Sequence, residues 1–83
     1  MKIYGHEVKQ EWIDACVAAT KGEFTARDVQ LAAMSVGCPE SMRTDHRNGV
    51  EWFAYRVADR VLKNAKRSGA IIYNKSTRKW TRL

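Results

Sequence analysis

The sequence is poor in proline and cysteine, with one and two residues respectively among 83, and it has no long apolar run. Two cysteines cannot form the disulfide network that stabilises small secreted proteins. The longest uncharged stretch, residues 29–39, is far shorter than the roughly 20 apolar residues that cross a bilayer. The first residues carry a charge but no apolar core after it, so we expect no signal peptide. These absences predict a cytoplasmic protein that does not enter a membrane.

The side chains that bind transition metals are also few, namely Cys16, Cys38, His6 and His46. No two of them lie at the spacing of zinc-finger or zinc-ribbon ligands. Cys16 falls on the apolar stripe of a predicted helix, where a thiol behaves as a small hydrophobic side chain. We therefore expect no bound metal and no cofactor.

Motifs for catalysis are missing from the sequence as well. It contains no recognisable Ser/His/Asp set, glycine-rich phosphate loop or pair of carboxylates. His46 is the one candidate for acid–base chemistry, and no second group is placed to share the reaction. A single histidine in a polar segment is usually a surface residue, so the chain is not expected to be an enzyme.

What the sequence does contain is an uneven distribution of charge. The hydrophobic fraction of 45% is normal for a folded protein, and the length suits a single domain over residues 1–83. Residues 1–42 carry four basic and six acidic side chains, a net charge of −2, whereas residues 43–83 carry eleven basic and three acidic ones, a net charge of +8. This segregation favours a polyanionic partner for the second half.

Apolar residues at helical spacing predict two short helices in the first half. The first runs from about His6 to Thr20 and the second from Thr25 to about Val36, where Thr25 is a good N-cap and Asp28 supports it. Between them, residues 22–24 leave room for a tight connection or a very short strand. The expected buried positions are Val8, Trp12, Ile13, Cys16 and Val17 in the first helix and Val29, Ala32, Ala33 and Val36 in the second.

The residue pattern of the second half predicts a polar loop, a long helix and a hairpin. The loop covers residues 37–49, with an extra helical turn at residues 39–41 as an alternative. The helix extends from about Asn48 or Val50 to Arg67. Residues 70–73 and 78–83 are rich in strand formers around a polar turn, and a hairpin this small must pack on the helices. We expect Trp80 and Trp12 to belong to the core.

This order of elements resembles the winged helix-turn-helix family. The resemblance is carried by residues 22–29, at the start of the second helix, and by residues 57–73, which look like the end of a recognition helix entering the wing. The sequence departs from the family in the long loop before the third helix, since that connection is usually short. The resemblance implies a mainly α protein with a small β-hairpin, an α+β fold with three helices of winged-helix type.

The third helix and the hairpin hold the candidate DNA contacts. Arginine and asparagine can form paired hydrogen bonds with guanine and adenine in the major groove, and basic residues in the wing can contact phosphate. Trp52 and Tyr55 lie off the apolar stripe, so they could stack on bases, pack against the loop or form a partner surface. The candidates are Arg47, Asn48, Trp52, Tyr55, Arg56, Arg60, Lys63, Lys75, Arg78 and Lys79.

Two functions fit these observations. The first is binding of double-stranded DNA by a small transcriptional regulator of bacterial or phage type, acting as a homodimer or with a protein partner because one domain has a small footprint. The alternative is a winged-helix protein–protein interaction module, or an accessory subunit of a nucleoprotein complex, anchored by Trp52, Tyr55 and Met42.

Overall fold

The computed structural model describes residues 2–3, 5–43 and 50–83. Within them, three helices combine with short antiparallel strands, which confirms the expected α+β fold. The helices are α1 (Gln10–Ala19), α2 (Ala26–Ser35) and α3 (Phe53–Arg67). The strands are β1 (Lys2–Ile3), β2 (His6–Glu7), β3 (Glu23–Phe24), β4 (Met42–Arg43), β5 (Val50–Glu51), β6 (Ile71–Asn74) and β7 (Lys79–Arg82).

The core lies where α3 packs against α1 and α2. Phe53 and Val57 of α3 are completely buried, as are Cys16 of α1 and Val29 of α2. The ring of Trp12 meets that of Phe53 edge to face, with 5.8 Å between centroids, an arrangement that aromatic quadrupoles favour. Each fully buried side chain of this size contributes roughly 1.5–3 kcal/mol by leaving water, so these contacts fix the three helices together and confirm Trp12 as a core residue.

A three-stranded sheet has the order β3–β7–β6 and contacts α3 through β6. The predicted hairpin and the very short strand before α2 are both confirmed, and they pair with each other: Phe24 lies opposite Trp80, and Tyr73 lies on the other side of Trp80. The rings of Tyr73 and Trp80 are 5.0 Å apart. Trp80 is half-buried against the core rather than enclosed by it.

The first helix starts later than predicted. It begins at Gln10, and His6 and Glu7 instead form β2, which pairs with β1 in a hairpin. Apolar spacing could not reveal this, because Val8 is buried whether it precedes the helix or belongs to it. The expectation for Val17 is also wrong: its side chain is 49% exposed, since α1 turns Trp12 and Cys16 inward.

The second helix ends at Ser35, so Val36 is its exposed C-cap and not a core residue. The predicted polar loop of residues 37–49 contains β4, which pairs as an antiparallel ladder with β5 just after the loop. The third helix accordingly starts at Phe53 instead of Asn48 or Val50. Two-residue strands are too short to produce a visible alternation of apolar and polar residues, which explains why this ladder was missed.

The N-cap of α2 is confirmed and is reciprocal. The Thr25 hydroxyl accepts a hydrogen bond from the backbone N–H of Asp28 at 3.2 Å, and the Asp28 carboxylate accepts one from the backbone N–H of Thr25 at 2.9 Å. Two amide groups that the first turn would leave unpaired are therefore satisfied. The carboxylate also lies at the positive end of the helix dipole.

We expect Thr25→Ala to lower the free energy of unfolding by about 1 kcal/mol, because the cap is lost while the rest of α2 is unchanged. Denaturant unfolding followed by circular dichroism measures this difference. Thr77→Ala, in the exposed turn between β6 and β7, is the matched control and should change stability by less than about 0.5 kcal/mol. Equal losses in the two variants would show that the cap contributes nothing specific.

Candidate nucleic-acid interface

One flank of α3 faces solvent and carries a row of cations. Residues at positions i, i+4, i+7 and i+11 of an α-helix fall within an arc of about 60° and extend over about 16 Å. The exposed side chains at this spacing are Arg56, Arg60, Lys63 and Arg67, and we call them the basic stripe. The opposite face of α3 supplies much of the core, so burial of that face keeps the stripe turned outward.

The basic stripe borders a cleft of about 400 Å³ between α3 and β1. We call it the basic cleft; it is lined by Lys2, Ile3, Arg56, Asp59, Arg60 and Lys63. Four cations and one carboxylate give its walls a formal net charge of +3. Asp59 pairs with Lys63 at 3.0 Å, so the carboxylate in the free protein offsets one of the cations.

Lys2 is a member of this cleft that sequence reasoning missed. It is far from α3 in the sequence, and it comes close only because β1 packs on the helix. The signal was weak, since a lone lysine near an N-terminus has no pattern to mark it. Arg67, which the sequence places alongside the basic face of the third helix, extends the stripe by one turn at the i+4 and i+7 spacing of the basic residues.

The aromatic candidates lie elsewhere on the surface. Trp52 caps the start of α3 with 58% of its surface exposed, and Tyr55 is 49% exposed. Together with Gln30 of α2 they line a separate cleft of about 290 Å³. Tyr55 and Arg56 point about 100° apart around the helix axis. The structure thus divides the predicted site into a basic part beside β1 and an aromatic part beside α2.

The connection between β6 and β7 holds the candidates Lys75 and Arg78, and Lys79 is the first residue of β7; all three are exposed. The Asn74 side chain accepts a hydrogen bond from the backbone N–H of Ser76 at 2.9 Å, and Arg78 adopts a left-handed backbone conformation with φ of 56°. Lys79 lies 3.5 Å from the carboxylate of Glu23 on β3. Such an exposed pair is weak, so Lys79 retains the ability to contact another anion.

Three polar residues considered from the sequence, Arg47, Asn48 and His46, lie outside the described residues. In the part of the chain that the structure describes, no cluster of three or more potential metal ligands occurs. None of the three described helices has both the length and the apolar surface needed to traverse a membrane.

Both cysteines are free thiols in the core. Burial and, to a smaller extent, the neighbouring Cys38 raise the pKa of the Cys16 thiol to about 11. Burial also raises the pKa of the Cys38 thiol to about 11. The Cys16 thiol points at the backbone carbonyl of Val29, with 3.7 Å between sulfur and oxygen. These are neutral packing groups at physiological pH.

Comparison of the chain with protein-family models, with curated proteins and with solved structures returns no match.

We expect the free energy of unfolding to fall between about pH 9 and pH 11 because of these thiols. The unfolded chain loses both protons near the ordinary thiol pKa of 9.0, whereas the folded chain keeps them until about pH 11. The folded state therefore binds more protons in this range and loses stability as the pH rises. Denaturant unfolding at pH 8, 9.5 and 10.5 measures the slope. The variant with both Cys16→Ala and Cys38→Ala is the control and should have a shallower slope; identical slopes would contradict the assignment.

Proposed function

We propose that the chain binds double-stranded DNA through the basic stripe of α3 and the β6–β7 connection, as a small cytoplasmic transcriptional regulator of bacterial or phage type. The observation that carries the proposal is the gathering of four cations on an exposed flank of a helix whose opposite face is buried. A helix with its side chains is about as wide as the DNA major groove. Arginine on such a helix can bind guanine or phosphate.

The order of elements supports the same proposal. Three helices followed by a hairpin after α3 are the elements that the winged helix-turn-helix resemblance implies. In that arrangement the third helix meets the major groove and the hairpin acts as the wing beside it. Lys75 and Arg78 are exposed at the end of this hairpin, where they would contact the phosphate backbone.

Electrostatic attraction between basic side chains and phosphates is expected to dominate the free energy of DNA binding. If about six basic side chains neutralise phosphates, the affinity for random duplex DNA falls about 10³-fold or more between 50 and 200 mM salt, because bound counterions are released on binding. Specific contacts add to this term without removing its salt dependence. A regulator of this size would use a second copy or a protein partner to enlarge its footprint.

The test compares two double variants that remove the same charge. We expect Arg60→Gln with Arg67→Gln to reduce the slope of log affinity against log salt by about 2 and to weaken binding about 100-fold at 50 mM salt. Lys21→Gln with Arg27→Gln removes two exposed cations outside α3 and the hairpin and should change the slope little. Fluorescence anisotropy with a random 20-base-pair duplex gives both quantities.

Equal losses in the two double variants would mean that only net charge matters, and a flat salt response of the wild-type protein would exclude the DNA-binding proposal. Circular dichroism of each variant shows whether the fold is retained.

A second candidate function is supported by Trp52 and Tyr55. Large aromatic side chains exposed beside a cleft are typical anchors of protein interfaces, and here they lie apart from the basic cleft. The chain would then act as an interaction module or as an accessory subunit of a nucleoprotein complex. The basic stripe would in that case meet an acidic protein surface.

We expect Trp52→Ala to leave the affinity for random duplex within about twofold of wild type, because it removes no phosphate contact. The same anisotropy titration measures this, with Arg60→Gln as the control that loses affinity. A large loss in Trp52→Ala at unchanged salt slope would instead show that the indole stacks on bases, a contact worth about 1–3 kcal/mol. Weak wild-type binding even at low salt would favour the interaction module.

A further inference from the structure

The basic cleft has two walls from distant parts of the sequence. One wall is α3, and the other is the β1–β2 hairpin, which is attached by packing and not merely adjacent. Ile3 is 8% exposed and belongs to the core cluster, and the ring of His6 meets that of Phe53 edge to face at 6.3 Å. Lys2 is therefore held beside α3 by its neighbours on both strands.

This hairpin limits how α3 can approach a duplex. A bare helix with its side chains is about 10–12 Å across, and the major groove is about 12 Å wide. Because β1 lies beside the basic stripe across the cleft, α3 and β1 together are wider than the groove and cannot enter it as one body. When α3 faces the groove, β1 must lie over the sugar–phosphate ridge, and the cleft between β1 and α3 then straddles that ridge.

The charges of the cleft suit this position. Lys2 stands on one wall, with Arg60 and Lys63 on the other, so a phosphodiester between them meets cations from both sides. Lys63 pairs with Asp59 in the free protein, but its side chain is 67% exposed. An exposed ion pair of this kind is worth little, so Lys63 can exchange the carboxylate for a phosphate.

We propose that the phosphodiester backbone of one DNA strand occupies the basic cleft, with Lys2 acting as a clamp from the β1 side and Asp59 limiting the affinity. This inference rests on the proposed DNA binding and adds a contact that lies outside α3 and the β6–β7 connection. It also assigns a DNA-binding role to the N-terminal hairpin in addition to its packing against α3.

Lys2 is tested against a lysine that bears the same charge elsewhere. Lys2→Gln removes one phosphate contact, so the salt slope should decrease by about 0.9 and the affinity for random duplex should fall about tenfold at 50 mM salt. Lys21→Gln, on the exposed segment after α1, should leave both nearly unchanged.

Asp59 gives a test that unfolding cannot mimic, because it predicts a gain. Asp59→Asn removes a carboxylate that repels phosphate and releases Lys63, so affinity should rise about fivefold at 50 mM salt, the factor for unit charges about 4 Å apart in water. Asp14→Asn makes the same change of charge on α1, where Asp14 accepts a hydrogen bond from Gln10, and should have little effect.

The outcomes separate the two proposals. Loss in Lys2→Gln together with gain in Asp59→Asn, each beyond its control, supports the clamp. If Arg60→Gln with Arg67→Gln weakens binding while Lys2→Gln matches Lys21→Gln, the clamp is wrong and DNA binding by α3 stands. If the wild type does not bind duplex at 50 mM salt, both are wrong.

A last experiment distinguishes a DNA strand from a small phosphate-containing molecule as the occupant of the basic cleft. Inorganic phosphate and a mononucleotide are titrated into the protein while the backbone amide signals of Lys2 and Ile3 are followed by NMR. Weak binding of both, with displacement by duplex, supports a DNA strand as occupant. Saturation of the cleft by either small anion, without displacement by duplex, would overturn the assignment to DNA.

Discussion

Phe53 and Val57 have no surface in contact with water, and the orientation of α3 about its own axis follows from their burial. Rotating α3 to hide its cations would expose these side chains, at roughly 1.5–3 kcal/mol for each. The same rotation would break the edge-to-face contact between Trp12 and Phe53. The outward position of the basic stripe is therefore a consequence of core packing, and it needs no stabilising interaction of its own among the cations.

The basic cleft brings together residues of α3, whose spacing is visible in the sequence, and Lys2 of β1. Arg56, Arg60 and Lys63 were identified from the sequence because helical periodicity predicts side-chain direction along a single element. Lys2 was not, because its place beside them depends on β1 packing against α3, a contact between segments far apart in the sequence that no local pattern encodes. Trp52 and Tyr55 were grouped with the cations in the sequence and are separated from them in the fold, since a difference of one residue turns a helical side chain by about 100°.

The difference between patterns within one segment and contacts between segments also explains which parts of the fold were predicted correctly. The helices, the N-cap at Thr25 and the C-terminal hairpin rest on signals within one segment, and the structure confirms them. The β1–β2 and β4–β5 ladders consist of two-residue strands, which offer no periodicity and exist because a partner strand lies opposite. The starts of α1 and α3 were placed too early because an apolar residue shortly before each helix, Val8 before α1 and Val50 in β5, continues the apolar spacing of the helix that follows.

The strand order of the larger sheet has a consequence for how the chain folds. The central strand, β7, pairs with β6 just before it and also with β3, which lies before α2. Contacts within the helices and the β6–β7 turn are local and form quickly, whereas joining β3 to β7 requires closing a loop that contains α2 and α3, with its attendant loss of chain entropy. The β3–β7 ladder, beside which the backbone N–H of Arg82 donates to the carbonyl of Gly22 at 2.9 Å, therefore costs more chain entropy to form than the β6–β7 hairpin does.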